Sequence, residues 1–212
     1  MREIENLEAF NKRLKSITEE SIVHFVRRHI IHGTPYIFND REEAFYDFRK
    51  RIAEKWNVNF YDIYITGSAN LGFSYWNETI FSYESDIDIS IISSNLYEDI
   101  LNHIDSFQWN IRDKNILLDK RDSKQYHKFL EYMAIGWIRP DKIPLQIQRD
   151  NMKLKNDWFD FFNSISYGKS EVGNYKVTAG IFKSYSHFER YILNGIKKCQ
   201  LKLKNKIDND KE

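Results

Sequence analysis

The chain has 212 residues, enough for one large domain or two small lobes sharing a core. It is 42% hydrophobic and 30% charged, an ordinary globular balance, and its 16% aromatic share forecasts a core rich in Phe, Tyr and Trp. A net charge of +1 excludes a global field that draws the chain to nucleic acid or anionic lipid, so any basic site must be a local patch, and the single cysteine, Cys199, excludes an intramolecular disulfide and a cysteine-based zinc site.

No apolar run approaches the ~18 residues that a membrane helix needs, and Met1 to Leu14 lacks a hydrophobic stretch. The expectation is a cytoplasmic protein with no membrane partner. In chain order, a first helix is expected over Ser21 to His32, ending at Gly33. Asn39 or Asp40 can cap the next, with Glu42 and Glu43 in its first turn, where the helix dipole favours acids. Ala44, Phe45, Phe48, Ile52 and Trp56 then recur at three- and four-residue spacing, an amphipathic stripe.

The pattern changes after Val58. Tyr61 to Thr66 is rich in β-branched and aromatic residues and runs into Gly67-Ser68. Asp86 to Ile92 alternates, with Asp86, Asp88 and Ser90 on one face and Ile87, Ile89 and Ile91 on the other, which predicts a half-buried strand. Helices are expected over Asn95 to Phe107 and Ser123 to Ile138. Pro140 and Pro144 bracket a turn, Leu145 to Gln148 reads as a third strand, and Asp157 to Ile165 as a short helix. Lys176 to Ile181 fits either state, and Phe182 to Lys206 reads as a long basic helix. The fold class expected is α+β: a mixed sheet flanked by helices, with a core over 1–150 and a C-terminal helical segment over 151–212 packing on it.

Two elements carry chemistry. Glycine at Gly67 lets the backbone turn sharply and admits a phosphate closely, while the Ser68 hydroxyl can donate one more bond. Asp86 and Asp88, two apart on a strand, point to one side, where a cation offsets their repulsion. Oxygen ligands that leave room for water and phosphate suit Mg²⁺ or Mn²⁺. Alone, a Gly-Ser bend is an ordinary turn and an Asp-x-Asp pair a solvated face; together they reinforce one another.

The pattern Gly67-Ser68, Gly72, then Ser85-Asp86-Ile87-Asp88-Ile89 resembles the signature of the DNA polymerase β-like nucleotidyltransferase superfamily. The resemblance covers about residues 61 to 92. It implies that Asp86 and Asp88 bind Mg²⁺ or Mn²⁺ and that Gly67 and Ser68 hold the nucleoside triphosphate. It implies transfer of a nucleoside monophosphate, ribo or deoxy, to a hydroxyl with release of pyrophosphate. By the same analogy, Lys183 and Ser184 at the start of the last helix would meet the β- and γ-phosphates. The family's third carboxylate has no obvious counterpart; Asp150 shares the parity of Gln146 and Gln148, and Asp122 and Glu131 are further candidates. The segment between Gly72 and Ser85 is longer than in minimal members and reads as a surface elaboration, a lid or a base-stacking element.

Three functions follow from the resemblance. The first is synthesis of a signalling oligonucleotide or cyclic nucleotide of the kind used in antiphage defence. The second is a toxin–antitoxin-type transferase that modifies protein or tRNA, with an effector or antitoxin partner. The third is a catalytically inactive nucleotide-binding module. The lysines at 197, 198, 202, 204 and 206 form a basic run that reads as a solvated face or as a track for an oligonucleotide or RNA.

Overall fold

The structure is a computed structural model and describes residues 6–143 and 153–209. The fold is α+β, a four-stranded mixed sheet flanked by helices. α1 (Leu7–Ser16) is capped by the Asn6 side chain, which accepts from Ala9 N. α2 (Ile22–Val26) runs into a π-helical turn, Arg27–Ile31, closed by His32 N donating to Arg27 O. This widened turn replaces the regular helix end expected before Gly33.

α3 (Glu42–Trp56) carries the predicted stripe, with Phe48, Ile52 and Trp56 buried and Ala44 and Phe45 partly buried against them. Its cap differs from expectation: Asp40 turns left-handed at φ 57, so Arg41 occupies the cap position without a side-chain bond. Arg41 instead donates from Nη2 to the Glu171 carbonyl at 2.6 Å.

β1 (Ile63–Thr66) follows a short 3₁₀ turn, Phe60–Asp62, so the strand starts two residues later than its composition suggests. α4 (Ser68–Leu71) is one turn, after which β2 (Phe73–Ser74) and β3 (Thr79–Ile80) pair as a separate hairpin. β4 (Ile87–Ile92) leads into α5 (Ser94–Arg112), capped by the Ser93 hydroxyl accepting from Leu96 N. α6 (Lys120–Ala134) is capped by Asp119.

The helix expected as far as Ile138 stops at Ala134, because Gly136 sits at φ 77 with the His187 ring where a Cβ would stand. β5 (Trp137–Ile138) then pairs with the last strand. Pro140 opens a 3₁₀ turn, Pro140–Lys142; Pro144 and the strand expected over Leu145 to Gln148 lie outside the described residues. α7 (Lys153–Ser164), β6 (Val177–Phe182) and α8 (Tyr185–Asn209) complete the chain.

The sheet order is β1-β4-β6-β5. β4 and β6 are parallel; the outer pairs are antiparallel. β6 comes from the C-terminal segment, expected as helical from residue 151, yet lies inside the sheet between β4 and β5. Ile63, Ile65, Ile87, Ile89 and Ile91 face a cluster from α3, α5, α6 and α7, where Trp56 meets Trp158 at 4.7 Å. A second cluster joins α1, α2 and α8 over Ile92 and Phe182. Burial of each such side chain contributes about 1.5–3 kcal/mol. The two layers leave the ends of β1, β4 and β6 open beside Asp88. Among the described residues no helix is long and apolar enough to cross a membrane.

Candidate active site

β1 and β4 run antiparallel with Thr66 opposite Asp88, so the chain reversal after β1 falls beside the start of β4. That register carries Gly67 against the Asp88 carboxylate: a Cβ added at Gly67 would lie 3.2 Å from Oδ2. Gly67 has φ 67 and ψ −150, a conformation close to glycine-only. The Gly-Ser bend and the Asp-x-Asp pair, 19 residues apart in sequence, therefore meet. Ser68 opens α4 one residue beyond, half-buried, while Thr66 and Gly67 line the cavity itself.

Asp86 immediately precedes β4 and Asp88 is its second residue, so both carboxylates fall on one side of the strand. Both residues are exposed and both line a cavity of about 550 Å³. Ser90, expected on the same polar face, is buried, since the second helical layer covers that part of the sheet.

β6 supplies the other wall. Thr178 pairs with Asp88 across the parallel ladder, and its Oγ1 donates to Asp88 Oδ1 at 2.7 Å. Lys176, just before β6, places Nζ 3.3 Å from Asp86 Oδ2. Arg139, after β5, lines the same cavity and lies within electrostatic reach of Asp88. Its Nη2 donates to Asp141 Oδ2 at 2.9 Å, and its guanidinium stands over the Tyr132 and Trp137 rings. Trp137, Tyr191, Trp158 and Phe162 make the cavity walls aromatic.

Solvent reaches Asp88, but protein atoms crowd it on most sides. That crowding is the largest influence on its carboxyl and pushes its pKa up; the Thr178 hydrogen bond opposes this, and the charge of Asp86 reinforces it. Lys176 and Arg139 pull in the opposite direction to Asp86. Tyr75, on the hairpin, is pushed by burial up to about 12 and so stays a neutral phenol at the cavity wall.

Lys183 and Ser184, expected beside the triphosphate, are not among the residues that line this cavity. Lys183 lies five residues beyond Thr178 on β6, roughly 16 Å along the strand. Its Nζ stands 5.5 Å over the Tyr97 ring, and Ser184 Oγ bonds with His187 Nδ1 at 2.7 Å. Asp150 lies outside the described residues. Asp122 and Glu131 sit on α6 and do not line the cavity. On β6 the residue that faces Asp88 is Thr178. Among the described residues no cluster of three ligating side chains forms. Among the described residues, Asp141 is the one other acid on the cavity wall, held by Arg139 and Lys142.

The segment from Gly72 to Ser85 is a docked hairpin. Cys199 donates to the Tyr75 carbonyl, and Lys202 Nζ bonds the Trp76 carbonyl at 3.2 Å and Glu78 at 3.1 Å. Two members of the basic C-terminal run are thus paired within the chain, Lys202 here and Lys197 with Glu19. Tyr83 stacks on Tyr175 at 5.9 Å, beside the segment that leads to Asp86.

Lys176, Arg139, Thr178 and Asp141 were not legible as site residues. Only Arg139-Pro140-Asp141, a charged pair around a proline, offered a local signal. No protein-family model matches the chain, and comparison with curated proteins and with solved structures gave no match.

Proposed function

We propose that the chain is a divalent-metal-dependent nucleotidyltransferase that moves a nucleoside monophosphate from a triphosphate to an acceptor hydroxyl. The observation that carries this reading is the meeting of Asp86 and Asp88 with the Gly67 bend in one cavity. The cradle suits a cation: two carboxylates share one side of a strand, and the turn beside them has no room for a side chain. Asp86 and Asp88 would hold Mg²⁺ or Mn²⁺, whose chemistry when bound is Lewis-acid activation of the phosphate and neutralisation of its charge.

The chain's own residues supply the rest. Thr178 fixes the Asp88 carboxylate and favours its ionised form. Lys176 and Arg139 offer positive charge to the triphosphate tail in the role expected of Lys183. Gly67 lets the backbone approach a phosphate oxygen. The aromatic walls exclude water and offer faces to a base. In the reaction a bond forms between the acceptor oxygen and the α-phosphorus, the bond to the pyrophosphate oxygen breaks, pyrophosphate leaves, and the acceptor's proton passes to solvent. A signalling oligonucleotide or cyclic nucleotide in antiphage defence is the product this reading takes first; modification of protein or tRNA is its alternative.

A second reading has its own observation. The residue that β6 sets beside Asp88 is Thr178 and not an acid, which supports a nucleotide-binding module without turnover. Incubation with each labelled ribo- and deoxyribonucleoside triphosphate, with Mg²⁺ or Mn²⁺, separates the readings. Transfer is expected, reduced about a hundredfold or more in Asp86→Ala, a barrier raised by ~3 kcal/mol or more. Free oligomers or cycles support the first product class, and label on protein or tRNA the other. Nucleotide binding without transfer by the unaltered chain overturns the enzyme reading.

A further inference from the structure

A second concavity, of about 750 Å³, lies beside β1, the edge strand of the sheet. Its floor includes Ile63, Tyr64 and Ile65, whereas Thr66 and Gly67 of the same segment line the catalytic cavity. Its walls carry Arg27, Arg28 and Arg49 with His24 and His32, and no Asp or Glu among the described residues lines it. In a chain with net charge +1, this is a concentrated basic patch.

Two local features build it. The π-helical turn Arg27–Ile31 carries Arg27 and Arg28 to the wall in place of a regular helix end. Arg27 is already paired with Glu189 at 2.9 Å, whereas Arg28 is exposed. Arg49, from α3, is stacked among rings: its guanidinium lies 4.4 Å from the Phe60 centroid and 5.5 Å from that of Tyr61. Its Nε is buried and meets no hydrogen-bond partner, and Asp62 lies near without forming an ion pair. The Asp62 charge reaches this half-buried guanidinium without a hydrogen bond, and an anion in the groove would add a closer countercharge.

We propose that this groove binds a short single-stranded oligonucleotide, its phosphates on Arg28 and Arg49 and its bases on the exposed tyrosine rings. Tyr61 is 73% exposed at the rim, and Tyr64 and Tyr185 also line the groove. Cations interleaved with planar rings match a chain that alternates phosphate with base. An acidic peptide would use the cations and leave the rings uncovered. The volume takes roughly two or three nucleotides and not a duplex. Binding here needs neither a metal nor the transfer reaction, so it stands apart from the proposed catalysis.

The test is fluorescence anisotropy of a labelled oligouridylate of about eight nucleotides, in EDTA, across a salt series. Arg28→Glu and Tyr61→Ala, both at exposed positions, are each expected to weaken binding about tenfold or more. Arg28→Glu should also flatten the slope of log K against log salt by roughly 0.7 or more. Asp88→Asn should leave binding unchanged, which separates this site from the catalytic one. The proposal is overturned if the unaltered protein does not bind the oligonucleotide. It is equally overturned if Arg28→Glu binds it as well as the unaltered chain, or if a poly-glutamate peptide displaces it at equal concentration.

Discussion

Replacing Gly67 by alanine tests the geometry on which the proposed activity rests. Two costs arise at once. The backbone at φ 67 and ψ −150 is a region that an L side chain occupies only under strain, about 1–3 kcal/mol. The new Cβ would also stand 3.2 Å from Asp88 Oδ2, tight enough to force the carboxylate or the strand aside by a few tenths of an ångström. Asp88 cannot simply swing away, because its other oxygen is held by Thr178 at 2.7 Å. In a domain of this size each kcal/mol lowers the melting temperature by roughly 2–4 °C. A displacement of about an ångström costs around a hundredfold in rate, so a few tenths should cost about tenfold.

Gly168→Ala is the matched control: it has φ 79 and open space around the added atom, so it carries only the backbone cost, about 1–2 kcal/mol. Thermal melts, Mn²⁺ titration by electron paramagnetic resonance and nucleotide turnover should be run on both variants. Both are expected to melt early, and only Gly67→Ala should weaken Mn²⁺ binding and slow transfer. If Gly67→Ala binds Mn²⁺ and turns over like Gly168→Ala, the bend does not act on Asp88.

Thr178→Val removes the hydrogen bond that favours the ionised Asp88 carboxyl, so the pKa should rise further and the acidic limb of Mn²⁺ binding should move to higher pH. An unchanged pH profile would show that the hydroxyl does not tune the acid. Asp88→Asn tests linkage in the metal-free protein. The raised pKa means that the native state holds this proton more tightly than the unfolded chain. Its stabilising contribution is therefore complete below the ordinary carboxylate range and is lost as pH rises through the native pKa. Asn cannot ionise and still accepts from Thr178, so the variant should melt above the unaltered protein at about pH 7, with the gap closing near about pH 4. A variant that melts lower at both pH values contradicts this account. Gln200 donates from Nε2 to the Leu14 and Ile17 carbonyls at 2.7 and 2.8 Å, tying the end of α1 to α8. Gln200→Ala should cost about 1–3 kcal/mol by calorimetry, and a shift below about 1 °C would show that water takes the amide's place.

Much of the fold was readable because it is written in local periodicity. The stripe on α3 and the alternation of β4 each follow from one side being apolar, and both elements form as their spacing predicts. The Gly67 bend and the two aspartates were legible because an antiparallel register brings them together over a sequence separation of 19 residues. β6 was not legible. VTAGIF lies inside the sheet, half-buried where Thr178 to Gly180 meet the cavity and buried at its end, so no clean alternation shows, and a glycine in its middle blurs the pattern further.

That one strand decides the rest of the site. Its parallel register with β4 sets Thr178 beside Asp88 and Lys176 beside Asp86, contacts separated by 90 residues. The same register carries Lys183 and Ser184 to the opposite end of the sheet. Sequence alone singled out the paired carboxylates and the glycine bend as candidates, since those are properties of side-chain chemistry and of a few adjacent dihedrals. Tertiary structure alone decided which cations and hydroxyls face them, because pairing between distant strands is chosen by the burial of the whole sheet and leaves no mark in any local window.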